Sequence, residues 1–127
     1  MLERQLVAQT EALMDPSVLR NFLDLLGPEG PATLRGILES YLKETPPVVE
    51  DLGDALFRGD RTRAAWLAHR LRGSCLSLGA SRLGARCATL EEHCRANLPP
   101  PPVAYAAVVA DFTETRRVLK LMLKELA

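Results

Sequence analysis

Residues 68–80 read AHRLRGSCLSLGA. At about 100° per residue, Ala64, Leu67, Leu71, Cys75 and Leu78 gather about 200° from His69, which makes one buried helical stripe. Strands need period-2 alternation, and the stretch has none. Asp60 suits the N-cap of this helix, and Gly79 suits a left-handed stop. His69 therefore faces away from the predicted core. Arg72 and Gly73, at i+3 and i+4, are its neighbours on that face. A glycine inside a helix costs about 1 kcal/mol relative to alanine, so Gly73 beside an outward imidazole needs a reason.

The flanking sequence repeats the helical pattern. Leu2, Leu6, Val7 and Leu13 suggest a first helix, and Asp15-Pro16 reads as an N-cap and first helical residue for a short second one carrying Val18, Leu19, Phe22, Leu25 and Leu26. GPEGP at 27–31 interrupts it. Leu34, Ile37, Leu38, Tyr41 and Leu42 form a stripe continued by Val48, Val49, Leu52 and Leu56, which predicts one long helix kinked or broken at Pro46 and Pro47. Gly59 ends it. Ser81 is the expected cap of the next helix, running to about Asn97, and LPPPP at 98–102 is a stiff connector. Tyr105, Val108, Phe112, Thr115, Leu119, Met122 and Leu126 then alternate three and four apart, the seam of an antiparallel bundle helix. The expected fold is all-α: one domain over 1–127, an up-and-down antiparallel four-helix bundle at about 31–127 with additional N-terminal helices at about 2–26.

Composition narrows the function. The 127 residues hold 16 basic and 16 acidic side chains. That balance lacks the bulk attraction that drives nucleic-acid or anionic-membrane binding, so neither is an expected partner. No apolar run reaches the roughly 18 residues of a membrane span, and the N-terminus lacks a signal-peptide layout, so a cytoplasmic protein is expected. Cys75, Cys87 and Cys94 are odd in number and without paired CxxC spacing, which fits reduced thiols. Met1 and the compact length favour an independent protein, and the stripes can satisfy one another within a monomer.

The chemistry of the exposed face is specific. A neutral imidazole is a competent nucleophile near neutral pH, and attack on a phosphoryl group would bring about two negative charges beside it. Arg72 can neutralise that charge with directional hydrogen bonds, and Gly73 leaves room for a partner's active site. Leu76 and Trp66 border the same face. They read as part of a docking surface, although the N-terminal helices could instead cover them.

At this point the stretch resembles the histidine-containing phosphotransfer domain family, the relay modules of multistep two-component signalling. The matching residues are AH at 68–69, Leu71, Arg72, Gly73, Ser74, LGA at 78–80, Leu83, Cys87 and LE at 90–91. An H-x-x-(K/R)-G alone is weak; joined to LGA-x-x-L-x-x-x-C-x-x-LE at unbroken spacing it is strong. The resemblance implies a four-helix bundle whose His69 takes a phosphoryl group on its outer ring nitrogen from a receiver-domain aspartyl phosphate. It then passes the group to another receiver aspartate. Family members commonly carry Lys at the position of Arg72. Glu91 matches a position where Gln or Glu orients the imidazole from its inner nitrogen; Arg95, at i+4 from it, makes either an ordinary surface pair or part of the docking face. The implied partners are response-regulator receiver domains and a hybrid sensor histidine kinase. Magnesium would belong to the receiver, so no cofactor or metal is expected here. The chain shows no Gly-rich phosphate loop and is expected to be a phosphocarrier rather than a kinase or other enzyme.

Other side chains admit plainer roles. Cys87 and Cys94 share the stripe of Leu83 and Leu90 and so read as core; His93 diverges from Cys94, against a zinc site. Arg58, Arg61, Arg63, Arg70 and Arg72 either solvate a helix face or attract acidic receiver surfaces. The main alternative is a helical adaptor that docks on receivers or kinases without phosphotransfer, but it would need none of His69, Arg72 and Gly73 together.

Overall fold

The computed structural model describes residues 13–126, so the helix expected at roughly 2–13 lies outside the described residues except for its last residue, Leu13. The chain forms α1 (Pro16–Leu26), a 3-10 turn (Gly27–Glu29), α2 (Gly30–Phe57), α3 (Arg61–Leu78), α4 (Ser81–Arg95) and α5 (Pro102–Leu126). Among the described residues there is no strand. Each of α3 and α4 packs on its neighbours in sequence, and α5 closes the ring against both α4 and α2. This is the up-and-down four-helix bundle, with α1 lying mainly on α2.

Local chemistry sets most boundaries as the sequence predicts. Asp15 accepts the Ser17 backbone N–H at 3.0 Å, with Pro16 at the first helical position. Asp60 accepts the Arg63 N–H at 3.1 Å. Gly79 adopts φ 77°, a left-handed stop that other residues reach only with strain.

Other local features refine or correct the expectation. α2 is the expected one long helix, and of the two outcomes expected at Pro46 and Pro47 it is not the broken one. Each proline removes one helix donor; Lys43 and Pro47 are exposed, so water can take the place of the partner lost at Pro47. Ser81 is the first residue of α4 rather than its cap: Ala80 holds the cap position, and the Ser81 hydroxyl donates to the Gly79 carbonyl. α4 also stops at Arg95, short of Asn97. Asn97 turns to φ 57°, and the Arg61 guanidinium donates to its carbonyl and side-chain oxygens at 2.7 and 2.8 Å. In α1 the apolar stripe is narrower than its sequence suggests: Leu19 is buried, whereas Leu25 is 85% exposed.

The core runs along the bundle axis through Leu38, Leu52, Leu67, Leu71, Leu83 and Leu119, all closed to solvent. Two polar ties fasten α5. The Tyr105 hydroxyl donates to the Val49 carbonyl at 2.9 Å. Asp111, itself buried, accepts from Arg82 and Arg86 on α4 at 3.1 and 3.2 Å.

Candidate functional site

His69 sits midway along α3, where Ala64, Leu67, Ala68, Leu71 and Cys75 bury the opposite side of the helix. Its side chain is 62% exposed. The reversal at Gly79 brings α4 back along α3 and sets Glu91 across from the imidazole. Both carboxylate oxygens of Glu91 lie 3.1 Å from His69 Nδ1. A carboxylate accepts only, so Nδ1 carries the proton and donates it. In the neutral ring, that tautomer leaves the Nε2 lone pair free.

Glu91 also gathers two cations. Arg95 Nε donates to Oε2 at 2.7 Å, and Arg72 Nη1 lies 3.8 Å from Oε1. Burial pushes the Glu91 carboxyl up, but the hydrogen bonds from Arg95 and His69 outweigh it and hold the group below its ordinary value. A buried anion thus orients an exposed nucleophile, and the cations around it keep it charged.

The structure brings His69, Arg72, Glu91 and Arg95 into one cluster. Gly73 is exposed, and a Cβ built on it meets nothing within 4 Å, so the chain itself offers no packing reason for the glycine. Trp66 and Leu76 remain open at 55% and 54% exposure, and Arg70 lies over the Trp66 ring at 5.7 Å. Arg95 makes the expected i+4 pair with Glu91 through its Nε, and its side chain stays 59% exposed beside the histidine. The i+4 spacing held that signal. The contact of Arg72 with Glu91 has no sequence signal at all, since it crosses between helices.

The thiols sit apart from this chemistry. Cys75, Cys87 and Cys94 are buried and free. Burial pushes the Cys75 thiol up to about 11 and raises Cys87 and Cys94 as well, so none has a thiolate-stabilising setting. His93 Nδ1 donates to the Thr89 carbonyl of its own helix at 2.9 Å. Among the described residues no three His, Cys, Asp or Glu side chains converge to hold a metal ion.

Comparison with known proteins agrees with this geometry. The family model described as Hpt domain matches residues 36–127. The sensor histidine kinase AruS of Pseudomonas aeruginosa is 37% identical over 97 residues, covering 76% of this chain and 9% of that protein. Histidine-containing phosphotransfer protein 4 of Arabidopsis thaliana is 38% identical over 58 residues, 44% of this chain and 46% of that protein. The chain therefore spans less than half the length of either relative. The crystal structure of histidine-containing phosphotransfer protein B from Pseudomonas aeruginosa superposes with a TM-score of 0.78 at 24% identity, over 89% of this chain and 96% of that one. A rice protein assigned as a histidine-containing phosphotransfer protein gives 0.76 at 18% identity, over 97% and 89%. At such identities these two structures speak for the fold.

Proposed function

The chain belongs to the Hpt domain family, and from that premise we propose that it is a phosphorelay intermediate in which His69 carries the phosphoryl group between receiver domains. A phosphotransfer role follows from the family itself. The proposal adds the acceptor, the route and the roles of the neighbouring side chains.

In the forward step the Nε2 lone pair attacks the phosphorus of a receiver aspartyl phosphate. The P–O bond to that aspartate breaks, and its carboxylate leaves with the bonding electrons. The Nδ1 proton stays on the ring, where Glu91 balances the positive charge that develops. Arg72 faces the three phosphoryl oxygens from the next turn of α3. The second step is the same chemistry toward another receiver aspartate. Magnesium and most transition-state stabilisation come from the receiver, and the chain acts as a phosphocarrier without kinase activity of its own. Response-regulator receivers and a hybrid sensor kinase are the proposed partners of a cytoplasmic, monomeric carrier. Among the described residues, no helix is long and apolar enough to cross a membrane.

The observation that carries this reading is the exposed imidazole held through Nδ1 by a buried carboxylate. The test is phosphotransfer from phosphorylated receivers, with magnesium and without ATP, to the wild type and to His69→Gln. Acid-labile, base-stable label on the wild type alone is the expected result. Unlabelled protein that still binds receivers would point instead to the adaptor function.

A further inference from the structure

Glu91 is contacted by three donors at unequal range. His69 Nδ1 and Arg95 Nε are at hydrogen-bond distance, 3.1 and 2.7 Å, whereas Arg72 Nη1 stands back at 3.8 Å. Arg72 is also partly exposed, at 44% of its side chain, and shares the face of His69. The close pair is able to hold the carboxylate when Arg72 leaves.

We propose that Arg72 changes partners on phosphorylation, moving from Glu91 to the phosphoryl group on His69, and that Arg95 is the positioning residue that releases it. The inference rests on His69 being the phosphoacceptor. Before transfer, Glu91 is a buried anion that meets the ring through its Nδ1 and needs the nearby cations. After transfer the ring holds both the Nδ1 proton and the N–P bond and is itself cationic, so it pairs with Glu91 directly. Arg72 is then surplus at the carboxylate and is drawn to the new dianion beside it. Arg95 keeps Glu91 compensated throughout. Without Arg95, Arg72 stays with the carboxylate and the phosphoryl group loses its cation.

Phosphoramidate tests this without any receiver, because it phosphorylates an accessible imidazole directly. The Nε2–P bond forms, the P–N bond of the reagent breaks and ammonia leaves. The readouts are the rate of phosphoryl loss and the ¹⁵N–¹H signal of Arg72 Nε before and after loading. Loading is expected to shift the Arg72 signal. Arg95→Gln is expected to shorten the phosphohistidine lifetime about tenfold, the scale of one charge-assisted hydrogen bond. In a Glu91→Gln background the same Arg95 change is expected to have no effect, because a neutral amide at position 91 does not retain Arg72. An equal loss in both backgrounds, an Arg72 signal unmoved by loading, or a His69 that takes no phosphoryl group overturns the proposal. A chain that loads from phosphoramidate but from no receiver instead defeats the relay reading and leaves this one standing.

Discussion

Glu91 reaches across from α4 to place both carboxylate oxygens 3.1 Å from Nδ1 of His69, joining residues 22 positions apart in the chain. One member of the pair is nearly closed to solvent and the other is open. The division of labour follows from that. The buried partner sets the tautomer, and the exposed one meets another protein.

Glu91 gives stability a defined pH dependence. Its carboxyl is held below the ordinary 4.5 in the folded protein. A depressed folded value means that the contribution is complete above 4.5 and is lost as pH falls through the folded value. Urea unfolding of the wild type and of Glu91→Gln, followed from roughly pH 6 to pH 3, should show the wild type losing stability relative to the variant in the acid range. Parallel curves would show that the carboxylate is not coupled to folding.

Gly73→Ala separates folding from function. The added methyl meets nothing in the chain and removes the flexibility of a mid-helix glycine, so stability should rise by up to about 1 kcal/mol. Phosphotransfer from a receiver should nevertheless fall about tenfold or more, because the methyl occupies space a partner needs beside His69. Denaturant midpoints and single-turnover transfer rates measure the two effects on the same protein. Unchanged transfer would remove Gly73 from the docking face.

Gly53→Ala should do the reverse. Here a Cβ would fall 2.5 Å from the Tyr105 hydroxyl, which is fixed by its bond to Val49. Relieving the overlap must move Tyr105 and the α2–α5 contact, at a cost of about 1–3 kcal/mol. Transfer chemistry at His69 should be unaffected in the folded fraction. Thermal melts beside active-fraction assays would show it.

The three thiols should be silent until the bundle opens. All are buried, and burial raises each of them, Cys75 to about 11. Thiolate is the reactive form, so a disulfide reagent at neutral pH should react slowly with native protein and rapidly with all three thiols in denaturant. Fast labelling of the folded protein would contradict their place in the core.

The sequence by itself determined what depends on neighbours within a helix turn or two. The stripe through Leu67, Leu71 and Cys75 predicts the buried face of α3, and the outward direction of His69, Arg72 and Gly73 follows from the same rotation. Asp15, Asp60 and Gly79 mark boundaries because caps act on adjacent backbone groups. Where an outcome depended on solvent or on another helix, that logic ran out. Pro46 and Pro47 left α2 unbroken, with Lys43 and Pro47 on the solvent side of the helix. α4 ended early, where Arg61 holds the left-handed Asn97.

Only the tertiary structure decided how Glu91 is shared. A helical repeat gives the direction of a side chain on its own axis, but not the separation and stagger of two axes. Those are set by how Leu71, Cys75, Leu83 and Cys87 pack in the shared core. That packing brings Glu91 within reach of both His69 and Arg72, while the local i+4 geometry adds Arg95. The nucleophile was legible along one helix, whereas the carboxylate network that orients it exists only once the helices are docked.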